Sequence, residues 1–479
     1  MTGRTILLSA ENGPVLAADD TGLVMRLSDR VVADIARRMG QAPGTAKGEA
    51  LPQGDPVAAA PVTLDAAILG DIDAWDAMRD GDWLRFTARL PGAEGVRRYR
   101  RHISGPALLA ETPGPVLGLF SLSGGRRFNA PSALPEFPYH LANISPQEDE
   151  GEAPRLFEAL HHSGINAYTA CTLLRHRHDA FRALPLFATA AALLPPGPLG
   201  SGTDLDMLRP SLDRFAALAG ALGKSARIAA IAVEIGPDHL ADGMDARGFH
   251  AAGLALLDGI SATVDQAGLA PPRILLTLDC GAWWGTQAAR ARIAAEGFAL
   301  LALRPGGHDL CVVGATAALT QDRLGQPTAD AILAQSAVEA QALEARMARE
   351  AWTAPLMCLA ERDGPRALRA VFKAGAALIL DPDDPMQAGP AAGFAITGAD
   401  AAPGIAGVEI HPQDDRAIRI TLDGDLPDSG EWRLDYAIPE APGAGRPGWN
   451  GALRDDWQAV SGDGRTHYRW AVPASQVIR

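Results

Sequence analysis

The sequence predicts an α/β protein: a doubly wound parallel sheet, flanked by an N-terminal β-rich module and a C-terminal β-sandwich. Three observations carry this. Short apolar strand candidates alternate with helical patterns in the middle of the chain. Alternating apolar and polar residues occupy both ends. Clusters of Pro, Gly and Asp separate the C-terminal segments.

Residues 1–110 form the first block. Thr21–Leu27 and Asp82–Leu90 alternate apolar and polar side chains, as half-buried strands do. Residues 40–62 are rich in Gly, Pro and Ala and read as a long linker. Asp71–Met78 reads as a short helix. The run Arg97–His102 reads as a charged strand or edge, with contact to an acidic partner as the lesser alternative. The block resembles an attachment module more than a catalytic core.

Residues 111–362 form the second block. Val116–Phe120, Ile228–Ile235, Arg273–Leu278, Ala299–Leu303 and Leu310–Val313 read as buried strands. Leu208–Leu222 places Leu208, Leu212, Phe215, Leu218 and Leu222 on one helical face. Phe249–Ala267, Gln287–Glu296 and the Ala/Glu/Leu-rich Ala329–Glu350 also read as helices. Fully apolar strands between helices imply a parallel sheet covered on both faces.

Residues 363–479 form the third. Ala367–Phe372, Ala377–Leu380, Gly407–Ile410, Ala417–Leu422 and Trp432–Ala437 read as strands of an antiparallel sandwich. Four tryptophans fall here. Trp432 suits a core, whereas Trp449 and Trp457 lie in polar, Gly-rich surroundings that would suit an exposed sugar-binding face.

Composition narrows the function. A net charge of −14 over 479 residues argues against nucleic-acid binding, which needs a basic face. The N-terminal apolar run is too short for a signal peptide, and no stretch is long enough to cross a bilayer. Cys171, Cys280, Cys311 and Cys358 lack metal-type spacing and read as buried free thiols made in a reducing cytoplasm. No cofactor or metal is implied. Asp381–Asp384 reads as a solvated acidic turn rather than a Ca²⁺ site.

Ser121 is the leading candidate nucleophile. The apolar run Pro115–Phe120 ends there, and Leu122, Ser123, Gly124 and Gly125 follow. A strand entering a glycine turn can hold a hydroxyl beside free backbone N–H groups. Phe120–Gly125 resembles the first block of the SGNH-hydrolase superfamily, in the sialate O-acetylesterase-like branch of carbohydrate esterases and of phage and prophage proteins. Gly200–Leu208 is similar to that family's Gly-Gly-Thr turn. Ile231–His239 stands where the family has a strand and then Gly-Glu-x-Asp. Asn450–Asp456 resembles a stretch ending in Leu-Arg-Asp in phage-borne members.

The resemblance implies Ser121 as nucleophile with Gly118 and Gly202 near the oxyanion hole, and His239, at a probable strand end, is the candidate substitute base. Gly118, Gly124, Thr203, Asp238 and Trp284 would line the substrate cleft. It also marks departures. The family's Asp-x-x-His should supply the base, yet Asp322 is followed by Gly325 and Gln326, with no histidine. Gly-Glu has become Gly236-Pro237, and Phe120 replaces the glutamine before the serine. A serine without a base within hydrogen-bond reach is a poor nucleophile at pH 7.

The expected role is therefore recognition of a cell-surface polysaccharide by an esterase-like, catalytically impaired fold. The protein would be a fibre, spike or tail component of a virion or phage-like particle, assembled in the cytoplasm with other particle proteins. Membrane insertion is not expected. Such proteins are often homo-oligomers, although no heptad run or repeat marks one here. The alternative is an active carbohydrate O-acetyl esterase with Ser121 as nucleophile and His239 or His308 as base. A plain cytoplasmic hydrolase is the third reading.

Overall fold

The computed structural model describes residues 5–10, 13–19, 22–25, 72–90, 95–103, 108–128, 137–144, 164–177, 184–200, 204–282, 287–398, 402–439, 449–460 and 464–479. Residues 1–63 and 64–479 are separate compact units. In the first, β1 (Thr5–Ala10), β2 (Gly13–Asp19) and β3 (Gly22–Met25) form an antiparallel meander.

The second unit begins with a four-stranded antiparallel sheet in the order β4 (Ala74–Asp80), β5 (Trp83–Ala88), β6 (Arg97–His102) and β7 (Leu108–Ala110). The helix expected over Asp71–Met78 is instead strand β4. A bulge interrupts its register between Trp75 and Met78, where Asp76 has φ 52°. That extra residue breaks the period-2 pattern and mimics helical spacing. The Arg97–His102 run is a strand, as expected, but an inner one. Arg100 is buried. It donates to the Leu222 carbonyl at 2.9 Å and pairs with Glu111 at 3.2 Å, and Trp83 Nε1 reaches the Ala221 carbonyl at 3.2 Å.

Six parallel strands follow: β8 (Val116–Ser123), β9 (Leu141–Asn143), β10 (Leu186–Leu193), β11 (Ala226–Ile235), β12 (Ile274–Leu278) and β13 (Leu310–Ala315). Their order is β13-β12-β11-β8-β10-β9. Helices α1 (Ile165–His176), α2 (Leu208–Ala221), α3 (Ala246–Gln266), α4 (Ala288–Leu303) and α5 (Ala329–Met347) cover both faces. Successive side chains of β8 point to opposite faces. Val116, Phe120 and Leu122 pack with Phe215, Phe249 and Phe298 of α2, α3 and α4. Leu119 packs on the other face with Cys171, Leu174 and Leu343 of α1 and α5. The segment Ala299–Leu303, expected as a strand, is the last turn and a half of α4. An apolar run of five has no periodicity to tell the two apart.

Among the described residues, ten strands finish the chain: β14 (Leu356–Arg362), β15 (Ala367–Lys373), β16 (Leu378–Leu380), β17 (Phe394–Thr397), β18 (Ile405–Ile410), β19 (Ala417–Leu422), β20 (Arg433–Tyr436), β21 (Leu453–Val460), β22 (Thr466–Trp470) and β23 (Ala474–Val477). They form three small antiparallel sheets, β14-β15-β19-β18, β16-β21-β22 and β17-β20-β23, around a core that includes Phe372, Phe394, Trp432 and Tyr436. Trp432 is thus a core residue. Trp449, expected at an exposed face, is also fully buried, where it joins the core of the α/β layers. Trp457 is half-buried and meets Trp352 edge to face at 4.8 Å. Among the cysteines, Cys171, Cys280 and Cys311 are buried. Cys358 is exposed, because it falls on the outer face of β14.

Candidate functional site

In a doubly wound sheet, the crevice for a ligand opens at the carboxyl ends of strands on either side of the point where strand order reverses. Here that point lies at β8, between β11 and β10. The residues there decide what chemistry is possible.

Ser121 is not at the strand end. β8 runs two residues further, to Ser123, and Ser121 pairs with Ala191 on one side and Ala232 on the other. Its side chain is fully buried, and Asn166 Nδ2 of α1 donates to its Oγ at 3.0 Å. The sequence reading ended the strand too early because Ser121 breaks the apolar run. The hydroxyl at the end of the strand is that of Ser123. It too is fully buried, and its Oγ has no hydrogen-bond partner.

Beside these serines lies a buried ionic cluster. Arg127 sits in a short turn after β8 and is 2% exposed. Its guanidinium meets Glu234 of β11 at 2.7 Å and both carboxylate oxygens of Glu339 of α5 at 2.6 Å. It also donates twice to Asn166 Oδ1, at 2.9 and 3.2 Å. Gln335 donates to Glu234 at 2.6 Å and to Glu339 at 3.1 Å. Burial works against the Arg127 cation, but Glu339 and Glu234 outweigh it and hold the group firmly charged. Burial raises the Glu234 carboxyl above the ordinary range. Arg127 opposes that shift, and the nearby Asp279 and Glu339 add to it.

A second pair closes the rim. Arg126 bonds Asp279, a buried residue just past β12. Asp279 Oδ1 accepts from the Gly281 N–H at 3.0 Å. A strap from β13 to α5 lies alongside, and its Gln321 donates to the Gly281 carbonyl at 2.9 Å. Asp322, which in the resembled family would precede the base, stays in this exposed strap. It accepts the N–H groups of Leu324 and Gln326 at 2.8 and 3.0 Å and so shapes its own turn.

The other expected residues scatter. Gly118 is a packing glycine in the middle of β8, between β10 and β11. An added Cβ would lie 2.4 Å from the Phe120 ring and 3.0 Å from Phe215, on the helix face opposite Arg127. Gly124 does lie at the rim, 3.7 Å from Asp279 Oδ2 by the same measure. Asp238 is exposed in the turn after β11, and its carbonyl accepts from Gly197 at 2.9 Å. His239, in the same turn, is 2% exposed. Gly202, Thr203 and Trp284 lie outside the described residues. His308 is engaged with Asp258 at 3.1 Å and Ser261 at 3.4 Å.

His239 carries a specific chemical message. Its Nδ1 accepts the Gly236 N–H at 3.1 Å, and its Nε2 is buried without a partner. Burial lowers its pKa, against the pull of Asp279 and Asp238, so the ring is neutral. A neutral imidazole that accepts at Nδ1 carries its proton on Nε2. The remaining nitrogen is a donor and cannot take a proton from a serine. Among the described residues, no histidine nitrogen bonds Ser121 or Ser123.

Sequence reasoning passed over Ser123, Arg127, Asn166, Glu234 and Glu339. One signal was available. Glu234 is a lone carboxylate inside an apolar strand, and such a group must find a cation.

No protein-family model matches the chain. No curated protein matches it either. Among solved structures it is similar to a carbohydrate acetylesterase of Xanthomonas citri, at 13% identity and a TM-score of 0.50, over 80% of this chain and 85% of that one. A protein of Arabidopsis thaliana matches over 48% of this chain and 99% of that one, at 13% identity and a TM-score of 0.33, too loose a fit to carry an argument. The chain thus has an esterase-like α/β fold.

Proposed function

We propose that the chain is a carbohydrate-recognition protein that keeps an esterase-like fold without acyl-transfer chemistry. The carrying observation is the closed carboxyl end of β8. Ser121 and the terminal Ser123 are fully buried, the Arg127 cluster packs against Ser121 through Asn166, and no histidine among the described residues bonds either hydroxyl. A buried serine with no base among the described residues gives no useful rate. The carbohydrate part of the reading is supported by the likeness to a carbohydrate acetylesterase. A cell-surface polysaccharide is the ligand this reading favours. The setting in a phage-like particle rests on the sequence resemblance alone, and neighbouring genes for capsid or tail proteins test it.

The decisive experiment is hydrolysis of p-nitrophenyl acetate and of an acetylated polysaccharide by the purified chain. The expected rate equals that of the Ser121→Ala/Ser123→Ala double variant. Acetate release that disappears in either single variant overturns the reading in favour of an active esterase.

A further inference from the structure

A cleft of about 630 Å³ lies between the α/β layers and the C-terminal sheets, and Gln335, which bonds Glu234 and Glu339, also lines it. Ligand pockets commonly span about 300–1,000 Å³. One wall carries Thr320 of the strap and Ala334 and Val338 of α5, and the other carries Asp383, Tyr468 and Trp470.

The aromatic wall follows from the alternation of β22. His467 and Arg469 point inward and are buried, while Thr466, Tyr468 and Trp470 share the opposite face. Residues two apart on one face stand about 7 Å from each other. The Tyr468 and Trp470 rings meet edge to face at 6.2 Å, and both half-buried residues line the cleft. The Arg454 guanidinium lies 4.1 Å from the centre of the Tyr468 ring and fixes it.

The polar groups sort the ligand class. Each arginine of the lining is matched by a carboxylate. Arg454 pairs with Asp381 at 2.6 Å, Arg465 pairs with Asp330, and Arg469 pairs with Asp455 at 2.6 Å. Asp383 adds a further carboxylate. Among the described residues no excess positive charge faces the cleft to hold a uronic, sialic or sulfated sugar. Planar carboxylates and guanidinium groups beside apolar rings suit vicinal hydroxyls and the C–H face of a pyranose.

We infer that this cleft is the carbohydrate site and that it takes an uncharged oligosaccharide, stacked on Tyr468 and Trp470. The inference rests on the carbohydrate-recognition reading. The test is isothermal titration of the full chain with neutral probes (maltoheptaose, cellopentaose and chitopentaose) and acidic ones (oligogalacturonate and a sialylated oligosaccharide). Three variants are compared with the wild type: Tyr468→Ala, Trp470→Ala and Ala334→Trp. The last fills the cleft from α5 without removing a contact, so it remains informative if the aromatic variants fold poorly. A neutral probe that binds the wild type, and binds each folded variant about tenfold or more weakly, is the expected result. Neutral binding unchanged in Ala334→Trp and in a folded Trp470→Ala overturns the cleft while leaving carbohydrate recognition standing. Preference for the acidic probes overturns the ligand class. Failure of all five probes, together with failure on a broad glycan array, overturns the underlying reading and this inference with it.

Discussion

Arg127→Met is the perturbation that most directly tests the reading of the closed sheet end. The side chain makes five hydrogen bonds to Asn166, Glu234 and Glu339. Arg127 and Glu339 are each 1% exposed at the side chain, and Glu234 is 5% exposed. Methionine fills much of the volume but leaves two buried carboxylates without their cation. Breaking a buried pair from one side costs about 3–5 kcal/mol. For a unit of this size that is a fall in Tm of roughly 3–6 °C. The sign with pH is also fixed. Glu234 already has a raised carboxyl, and the variant loses the main group that opposes the shift. A carboxyl raised above its unfolded value contributes stability below that value and loses it as pH rises through the folded pKa. The deficit should therefore shrink between pH 8 and pH 5. Thermal and urea unfolding of both proteins across that range measure it. Replacing Arg127, Glu234 and Glu339 together by Met, Leu and Leu should recover most of the loss, because no buried charge is left unpaired. A single variant within about 1 kcal/mol of the wild type at pH 8, the scale of an exposed ion pair, would refute the reasoning.

Other outcomes follow from the same geometry. Because burial lowers the His239 pKa, the unfolded chain binds the extra proton, and stability should fall as pH drops through the free value of about 6.5; an NMR titration of the ring protons should show His239 protonating at a lower pH than a free imidazole. Gly118→Ala should cost about 1–3 kcal/mol by overpacking against Phe120 and Phe215, measured by urea unfolding. Gly236→Ala should cost more, since its Cβ would sit 1.7 Å from the Asp279 carbonyl oxygen, a backbone atom with little room to move. Native protein should react with a thiol reagent fastest at Cys358, because Cys358 is exposed whereas Cys171, Cys280 and Cys311 are buried.

The layered α/β centre was legible because its periodicities are long and clean. Leu208–Leu222 and Ala329–Glu350 present regular apolar faces, and Ile228–Ile235 is apolar enough to be a buried strand. Helix α1 and strand β10 escaped notice. The first mixes Thr, Asn and Tyr into a helix that is nevertheless buried almost throughout, and the second is largely alanine, which carries little strand preference. The site was far less legible. Arg127, Asn166, Glu234 and Glu339 are ordinary residues in four distant segments, and only the sheet topology brings them together. Ser121 drew attention for its local setting, yet a two-residue error in the strand end exchanged a mid-strand hydroxyl for a terminal one. The aromatic face was expected at Trp449 and Trp457, whereas the alternation of β22 presents Tyr468 and Trp470.

The Arg127 cluster also sets a timetable for the growing chain. Arg127 is separated from Asn166 by 39 residues, from Glu234 by 107 and from Glu339 by 212. At about 5–20 residues per second of synthesis, its last partner leaves the ribosome roughly 10–40 s after Arg127 itself. Until then one face of the central sheet has no α5 to cover it, and a cation destined for the interior has only part of its shell. A nascent chain in that state exposes apolar strand surface for the whole interval. Overproduced protein should therefore depend on chaperones during translation, and truncations ending before Glu339 should collect as insoluble fragments.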